Sequence, residues 1–279
     1  MKKIFILSVV TVIALNAAEF EYGRGTFTLE GGFVGLNGKI STDVNTYSTL
    51  ERHKNILSSK WYYRYNFTWI DSNYATQAQN TVNTLTSTVN LPSIDYKLQG
   101  LDANAVLGRD IINKDDGDTY LGLGLLVGIS VPYIKSDNSS STSPTTTILK
   151  NSKTKFTTYK VGLNISASKQ ITHKLSMYLY GSYAYQNANL KNSSINLDTS
   201  SNGIFEEIDV GFRYTPLSFK KKIWFLELNP KLYFTAGYRY SYWQVKDVSI
   251  NVSGVGASWG DSNLDMKNSI AYIGIGYSF

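Results

Sequence analysis

The last eleven residues of the chain alternate between apolar and small side chains, and no other feature limits the possible folds as strongly. They read SIAYIGIGYSF, and successive side chains of a β-strand point to opposite faces. A membrane barrel turns one face of every strand towards lipid, so this run predicts an outward barrel face. That face carries Ala271, Ile273, Ile275, Tyr277 and Phe279.

The first eighteen residues have the features of a secretory signal peptide. Lys2 and Lys3 precede an apolar stretch over residues 4–15, and the small residues Ala17 and Ala18 suit a cleavage site. The stretch is shorter than the about 20 residues that a spanning helix needs. We predict that residues 1–18 form the signal peptide and that residues 19–279 form one transmembrane β-barrel domain.

Composition agrees with an exported barrel. The chain contains no cysteine, which excludes disulfide-stabilised small domains and thiol chemistry. Its mean hydropathy of -0.19 hides the apolar residues, because a barrel places them at every second position. Aromatic residues make up 14%, with 21 tyrosines, and suit the membrane interfaces. Basic residues are scattered apart from residues 220–222, so no nucleic-acid partner is predicted.

Alternation of period two recurs in nine segments of the chain. Most segments reach the about 9–11 residues of a membrane strand, whereas strands of a soluble β-sandwich average about 5–6 residues. Their outward faces are rich in aromatic rings, which also favours an all-β transmembrane barrel over the sandwich. The segments are residues 27–33, 61–69, 95–108, 121–131, 159–167, 175–185, 204–214, 224–242 and 269–279.

A barrel with both termini in the periplasm needs an even number of strands, so one strand is missing from this set. The gap lies within residues 40–93. Residues 46–57 have helix-like spacing, and residues 76–91 fit either a short helix or a threonine-rich strand. We predict a single antiparallel barrel of ten strands, with eight and twelve as alternatives.

Loop lengths orient the barrel, because such proteins have short periplasmic turns and long external loops. The last strand then descends, which makes residues 136–155, 186–202 and 245–267 external. A turn at residues 217–222 centred on Phe219 predicts that Glu207 faces Lys231 and that Asp209 faces Asn229. The long strand 224–242 is expected to kink at Pro230, which cannot donate to the ladder, and to lift Trp243 to the outer rim.

The candidate functional surface is the inner face of the barrel. Two interpretations stay open for its charges: a ring that selects ions or solutes, and a structural ion-pair network that fills a narrow barrel. Glu30 is included because it opposes the apolar face of Phe27 and Leu29. The predicted lumen charges are Glu30, Arg64, Lys160, Glu207, Asp209, Arg213, Glu227, Lys231 and Arg239.

No catalytic, cofactor or metal site is predicted. The chain has two histidines, His53 and His173, and the predicted topology does not bring them within hydrogen-bond reach of one substrate. The run Ser201-Asn202-Gly203 has no histidine nearby and suits a polar loop. No ligand spacing typical of metal sites occurs.

The C-terminal run resembles the terminal signature of Gram-negative outer-membrane β-barrels, which ends in an aromatic residue. Gly274, Tyr277 and Phe279 fit this signature, and Tyr272 departs from it at a position that is usually polar. The resemblance implies an integral place in the outer-membrane lipid. It also implies delivery by periplasmic chaperones and recognition by the barrel assembly machinery. The whole chain is similar to uncharacterised small porin-like barrels, and we expect a monomer.

Three functions are considered on this basis. We expect a passive porin-like channel for small hydrophilic solutes, because the inner faces are rich in glycine, serine and threonine and carry charges of both signs. The alternative is a closed surface barrel, structural or adhesin-like, that interacts through its external loops. An outer-membrane enzyme acting on lipid or peptide is the third.

Overall fold

The protein consists of β-strands throughout the part that the computed structural model describes. This part comprises residues 19–33, 36–56, 60–77, 80–83, 88–91, 94–112, 119–137, 153–192, 197–217, 221–223, 226–228, 232–246, 250–251, 258–259 and 263–277. The strands are β1 (Glu19–Phe33), β2 (Leu36–Ile56), β3 (Trp61–Ser72), β4 (Ala75–Gln77), β5 (Asn80–Asn83), β6 (Thr88–Leu91), β7 (Ile94–Asp110), β8 (Thr119–Ser130), β9 (Tyr133–Asp137), β10 (Lys153–Thr172), β11 (Leu175–Asn192), β12 (Leu197–Tyr214), β13 (Lys221–Ile223), β14 (Leu226–Leu228), β15 (Leu232–Val245), β16 (Ile250–Asn251), β17 (Ser258–Trp259) and β18 (Leu264–Tyr277).

Ten of these strands form a closed antiparallel barrel, which confirms the predicted fold. Strands β1, β2, β3, β7, β8, β10, β11, β12, β15 and β18 each pair with the next in this order. The barrel closes where β18 pairs with β1, from Glu19 opposite Gly276 to Gly31 opposite Leu264. Closure removes the unpaired edges that an open sheet exposes.

The tenth strand is β2, so the helix-like interpretation of residues 46–57 is wrong. Strand β2 pairs with β1 along most of its length and with β3 on its other side. Pairing on both sides outweighs the local spacing of apolar residues, because it satisfies the backbone groups of the whole segment. The described residues of 76–91 supply no barrel strand. They contribute β4 and the hairpin of β5 and β6 beyond the end of β3.

The two ends of the barrel differ in their connections. At the turn end, which contains Glu19, two residues join β10 to β11. At the loop end, β4 continues β3, and β9 continues β8 after a break at Pro132. Proline has no amide hydrogen for the ladder. Strand β9 pairs with both β7 and β10, so the sheet is extended at the loop end, which the sequence predicts to be external.

The register between β12 and β15 differs from the predicted one. Glu207 faces Ser241 and Asp209 faces Arg239, ten residues beyond the predicted partners Lys231 and Asn229. The reason is a local hairpin of β13 and β14, which pairs residues 221–223 with 226–228. The predicted single strand 224–242 is therefore β14 followed by β15. The shift is even in number, so inner and outer faces stay as predicted. Pro230 lies outside the described residues.

The outer surface of the barrel exposes large apolar side chains in a continuous band. Ile273, Leu125 and Leu163 are about two-thirds exposed, at 66%, 66% and 64%. In a soluble protein such a surface would be unfavourable, whereas lipid covers it in a membrane barrel. The apolar band, as used below, consists of Leu107, Leu123, Leu125, Val127, Tyr159, Val161, Leu163, Ile165, Leu179, Tyr183, Tyr185, Ile208, Val210, Phe212, Phe234, Tyr238, Ile273 and Ile275.

Helices play no part in this arrangement. Within the described ranges, the structure has no helix that is long and apolar enough to cross a membrane. The predicted signal peptide, residues 1–18, lies outside those ranges.

Gly25 marks a close approach of the two strands that close the barrel. A Cβ atom there would meet the Ser269 carbonyl oxygen on β18, a backbone atom. We expect Gly25→Ala to lower the free energy of unfolding by about 1–3 kcal/mol, measured by urea titration of the refolded barrel. At Gly181 the nearest atom is the Cγ2 methyl of Ile165, a side-chain atom at 3.0 Å, so the control Gly181→Ala is expected to cost less. Equal losses would contradict the strain at the closing seam.

Candidate functional site in the barrel interior

Most of the predicted lumen charges lie inside the barrel. Arg64, Lys160, Glu207, Asp209 and Arg239 are buried on the inner faces of their strands. Arg213 also points inward and has a side chain 27% exposed at the turn end. The side chain of Glu227 and all of Lys231 lie outside the described residues.

Glu30 does not belong to the lumen, and this part of the prediction is wrong. Its carboxylate pairs on the outer surface with Lys39 at 2.7 Å and Lys267 at 2.8 Å. Phe27 and Leu29 are the buried residues of β1. The alternation predicts an outward face for them, because apolar residues face lipid in most strands, but here they join an apolar layer inside the barrel.

A group of buried ionic side chains, the central ion cluster, occupies the middle of the interior. It consists of Glu21, Arg64, Glu207, Asp209 and Arg239. The Nη2 atom of Arg239 lies 2.9 Å from Oδ2 of Asp209 and 2.8 Å from Oε2 of Glu21. Arg239 therefore joins carboxylates from two strands, and such charge-assisted bonds are stronger than neutral ones.

Arg64 connects opposite walls of the barrel. It lies on β3, and its guanidinium is 3.6 Å from Asp209 and 4.0 Å from Glu207 on β12. These strands are five positions apart in a closed order of ten, which places them across the full diameter. The same guanidinium lies over the ring of Tyr180 on β11, 4.2 Å from its centroid.

Aromatic side chains complete the central level. The hydroxyl of Tyr272 donates to Oδ1 of Asp209 at 2.5 Å, and it lies 2.6 Å from the hydroxyl of Tyr178. Arg52 stacks on Tyr180 with its guanidinium carbon 4.4 Å from the ring centroid. Tyr180 thus receives two guanidinium groups, one from β2 and one from β3. These contacts fill the space that a wide pore would leave to water.

A second ion pair lies nearer the loop end. Lys160 Nζ donates to Oδ1 of Asp102 at 2.5 Å and sits 3.9 Å from the ring centroid of Phe205. Ser130 also donates to Asp102. The indole Nε1 of Trp243 donates to Ser130 Oγ at 3.1 Å, and so connects β15 with β8. Trp243 is buried on the inner face of β15, near the loop end.

An apolar layer packs beyond these ionic groups, towards the loop end. Phe205 and Trp243 contact each other with ring centroids 5.4 Å apart. Buried apolar side chains from strands around the barrel form one cluster with them, which excludes water from the ion pairs below. Members of this layer are Phe27, Leu29, Val44, Ile70, Leu98, Phe156, Leu190, Val245, Leu264 and Met266.

The turn end has its own smaller network around Glu19. Arg213 pairs with this carboxylate at 3.5 Å, and the hydroxyl of Thr235 donates to it at 2.6 Å. Tyr233 donates to the same carboxylate at 3.2 Å, and the guanidinium of Arg213 lies over the Tyr233 ring.

Among the described residues, five interior charges are absent from the predicted set: Glu19, Glu21, Arg52, Asp102 and Asp110. Glu19 and Glu21 lie next to the predicted cleavage site. Extending the alternation of β1 back from Phe27 would place both on the face of Phe27. Arg52 lies in the segment interpreted as helix-like. The alternation of residues 95–108 does assign Asp102 to an inner face, although it was not counted as a lumen charge.

Residues considered for other roles are found in separate places. His173 is exposed in the turn between β10 and β11, and the side chain of His53 lies outside the described residues. Gly274 and Tyr277 of the predicted assembly signal lie on β18, where Tyr277 pairs with Leu232; Phe279 lies beyond the described range. In the part of the chain that the structure covers, no group of three or more His, Cys, Asp or Glu is arranged for a metal ion.

Comparison with solved structures gives outer-membrane proteins of differing roles. The outer membrane protease OmpT from Escherichia coli is 10% identical, with 94% of this chain and 96% of OmpT covered and a TM-score of 0.48. Ail, the attachment invasion locus protein of Yersinia pestis, is 11% identical, with 94% and 99% covered and a TM-score of 0.29. OprG from Pseudomonas aeruginosa is 13% identical, with 94% and 97% covered and a TM-score of 0.30.

No protein-family model and no curated protein matches the chain. The structural similarities are too low to support an argument about activity. The architecture itself rests on the strand pairing and on the exposed apolar band. A closed antiparallel barrel with an even number of strands and an apolar outer face is the architecture of outer-membrane β-barrels.

Proposed function

We propose that this protein is a monomeric, integral outer-membrane barrel that is closed to solutes at rest and acts through its loop end. The contact of Arg64 with the opposite wall carries this proposal. Arg64 is 1% exposed and its partner Asp209 is 0% exposed, so a water-sized sphere scarcely reaches either. An open pore would leave such inward side chains accessible.

The passive channel considered from the sequence would need these contacts to separate. Breaking a buried ion pair by removing one partner costs about 3–5 kcal/mol, and opening the interior would expose the apolar layer as well. Diffusion of solutes past the lumen charges therefore requires a rearrangement of several packed levels. In the proposed closed state, the inward charges form a structural ion-pair network that joins opposite walls of the barrel.

Because side chains fill the interior and lipid covers the apolar band, we expect the protein to act through its loop end. On the outer faces of β11 and β12 the apolar band ends near Tyr185, and polar residues such as Asn187, Asn189 and Asn202 follow. Between Tyr185 and Asn192 the strand rises by roughly 23 Å at about 3.3 Å per residue. This length supports a polar wall that projects from the membrane and displays the external loops. The proposal includes no catalytic step and no cofactor.

Conductance measurements test the closed state. Refolded full-length protein in planar bilayers is expected to give no stepwise currents in salt solution, because the buried side chains of the central ion cluster contact one another across the barrel. Insertion is verified on the same preparation by β-sheet circular dichroism and by protection from added protease. Reproducible current steps from inserted protein would refute the closed barrel and favour the passive channel.

A further inference from the structure

Five lysines gather on one side of the outer surface, on the loop-end side of the apolar band. In this lysine patch, Lys97 on β7 faces Lys135 on β9, and Lys135 faces Lys153 on β10. On the next pair of strands, Lys155 faces Lys191. Two rows of like charge thus run across four neighbouring strands.

Such rows are unfavourable unless anions offset them, because like charges directly opposite in a sheet repel each other. Lys97 pairs with Asp71 at 3.0 Å, and Lys191 pairs with Asp198 at 3.1 Å. Lys135 and Lys155 have no carboxylate partner among the described residues. The patch therefore retains positive charge after its own ion pairs have formed.

The opposite side of the barrel shows that this excess is local. There, on β1, β2 and β18, outward basic residues meet carboxylates of the chain: Arg24 pairs with Asp43 at 3.9 Å. Lys39 and Lys267 share Glu30, at 2.7 and 2.8 Å. On this side the outward basic residues are thus neutralised by the protein's own carboxylates, in contrast to the lysine patch.

The height of the patch suits the headgroup region of a membrane. Tyr159 is the last residue of the apolar band on β10, and Lys155 is four residues farther along the same face. This separation is roughly 13 Å along the strand, or about 10 Å along the membrane normal for a tilt of about 40°. On β7, Asp95 lies one outward position beyond Lys97, so this acid does not lie between the lysines and the membrane.

We propose that the lysine patch binds the phosphate groups of an anionic glycolipid headgroup in the surrounding leaflet. The inference rests on the proposed orientation, with the loop end outside. Lysine binds phosphate as a point charge, and basic side chains at a membrane surface attract anionic headgroups. Lys135 and Lys155 are the two members that such a headgroup would pair first. The site would hold lipid at one side of the barrel and not around it.

Lipid binding by the refolded, full-length barrel tests this inference. The probes are diphosphorylated lipid A, the same lipid without phosphates, and inorganic phosphate, each added to barrel in a neutral detergent and measured by native mass spectrometry. We expect diphosphorylated lipid A to bind at least about tenfold more tightly than the dephosphorylated form, and binding to weaken with salt. Inorganic phosphate alone is expected to bind too weakly to compete.

Variants locate the site. The double change Lys135→Gln and Lys155→Gln is expected to weaken binding of diphosphorylated lipid A by about 25-fold, at about fivefold per lysine. The matched control, Lys169→Gln with Lys174→Gln, removes two exposed lysines at the turn end and is expected to bind as the natural protein does. All four positions are exposed or half-exposed, so circular dichroism is expected to show folded barrel throughout.

Three results would overturn the inference. The first is equal binding of the two lipid forms, and the second is an equal loss of affinity for diphosphorylated lipid A in both double variants. The third is full competition by inorganic phosphate, which would indicate a site for the free anion. Failure of the barrel to insert into bilayers would instead contradict the proposed membrane function. A barrel that inserts but does not distinguish the two lipids would refute only the lysine patch as a lipid site.

Discussion

Replacing Arg239 with methionine is expected to lower the free energy of unfolding by about 3–5 kcal/mol. The side chain lies between Asp209 and Glu21, with its Nη2 atom 2.9 and 2.8 Å from their carboxylates. All three groups are buried. Methionine fills a similar volume but leaves buried Glu21 without its cationic partner, and leaves Asp209 with the more distant Arg64 at 3.6 Å, and removing one partner is the costly way to break a buried ion pair.

The measurement is urea unfolding of the barrel refolded into phosphocholine vesicles, followed by tryptophan fluorescence. The control Lys191→Met removes one partner of an exposed ion pair with Asp198, whose side chains are 58% and 63% exposed. Exposed pairs contribute little, so its urea midpoint is expected to stay close to that of the natural protein. If the urea midpoint of Arg239→Met shifted as little as that of Lys191→Met, the role of Arg239 in the central ion cluster would be contradicted.

A second substitution separates lost charge pairing from lost packing. Adding Asp209→Asn to Arg239→Met removes one of the two carboxylates that lost Arg239 and leaves Arg64 beside Glu207, and we expect it to recover part of the lost stability. If Arg239 acted only by filling space, the two changes would add without compensation.

The fold was predictable from the sequence where the two faces of a strand differ strongly. Residues 61–69 alternate rings with polar side chains, and β3 lies there with Arg64 inward and Trp69 outward. Strand β2 shows why one strand was misassigned. Its outward residues Asp43 and Asn45 are polar, and so are its inward residues Thr46 and Ser48. Because both faces of β2 carry polar residues, the sequence shows no apolar–polar alternation there. The strand is recognised only from its pairing with β1 and β3.

Register was harder to predict than strand direction, because it depends on turns that alternation does not describe. The hairpin of β13 and β14 uses residues that also fit the pattern of a longer strand. It moves the partner of Asp209 from Asn229 to Arg239. Since faces repeat every two residues, the error left the inner and outer assignments correct. The sequence therefore supported a set of inward charges but not their pairing.

The interior differed from expectation in its apolar content. The inference that apolar residues face lipid holds for the band, but Phe27 and Trp243 are inside. A narrow barrel whose interior is filled by side chains can be stabilised from within by apolar packing, as in a soluble protein. At the loop end the outer faces instead become polar, as in Lys267 and Asp265. The meaning of alternation is therefore reversed along a single strand.

Trp243→Ala is the second change for which we expect a large effect, a loss of about 3–5 kcal/mol in the free energy of unfolding. The indole packs against Phe205 and donates to Ser130 on β8. Removing the indole leaves a cavity in the apolar layer. It also removes the hydrogen bond that connects β15 with β8 across the interior. Trp243→Phe keeps most of the packing and loses only the N–H donor, so a loss of about 1 kcal/mol is expected.

Tyr240→Ala is the control for Trp243, because Tyr240 lies on the same strand and points outward. If the side chain of Trp243 also pointed outward, the two alanine variants would behave alike in urea unfolding. Because Trp243 points inward, we expect Trp243→Ala to lose the most free energy of unfolding, Trp243→Phe less, and Tyr240→Ala the least.

The same variants also test the closed state, because the Phe205–Trp243 contact covers the Lys160–Asp102 pair. We expect Trp243→Ala, and not Trp243→Phe, to raise the exchange of interior amides with solvent, since only the alanine variant opens the apolar layer above that pair.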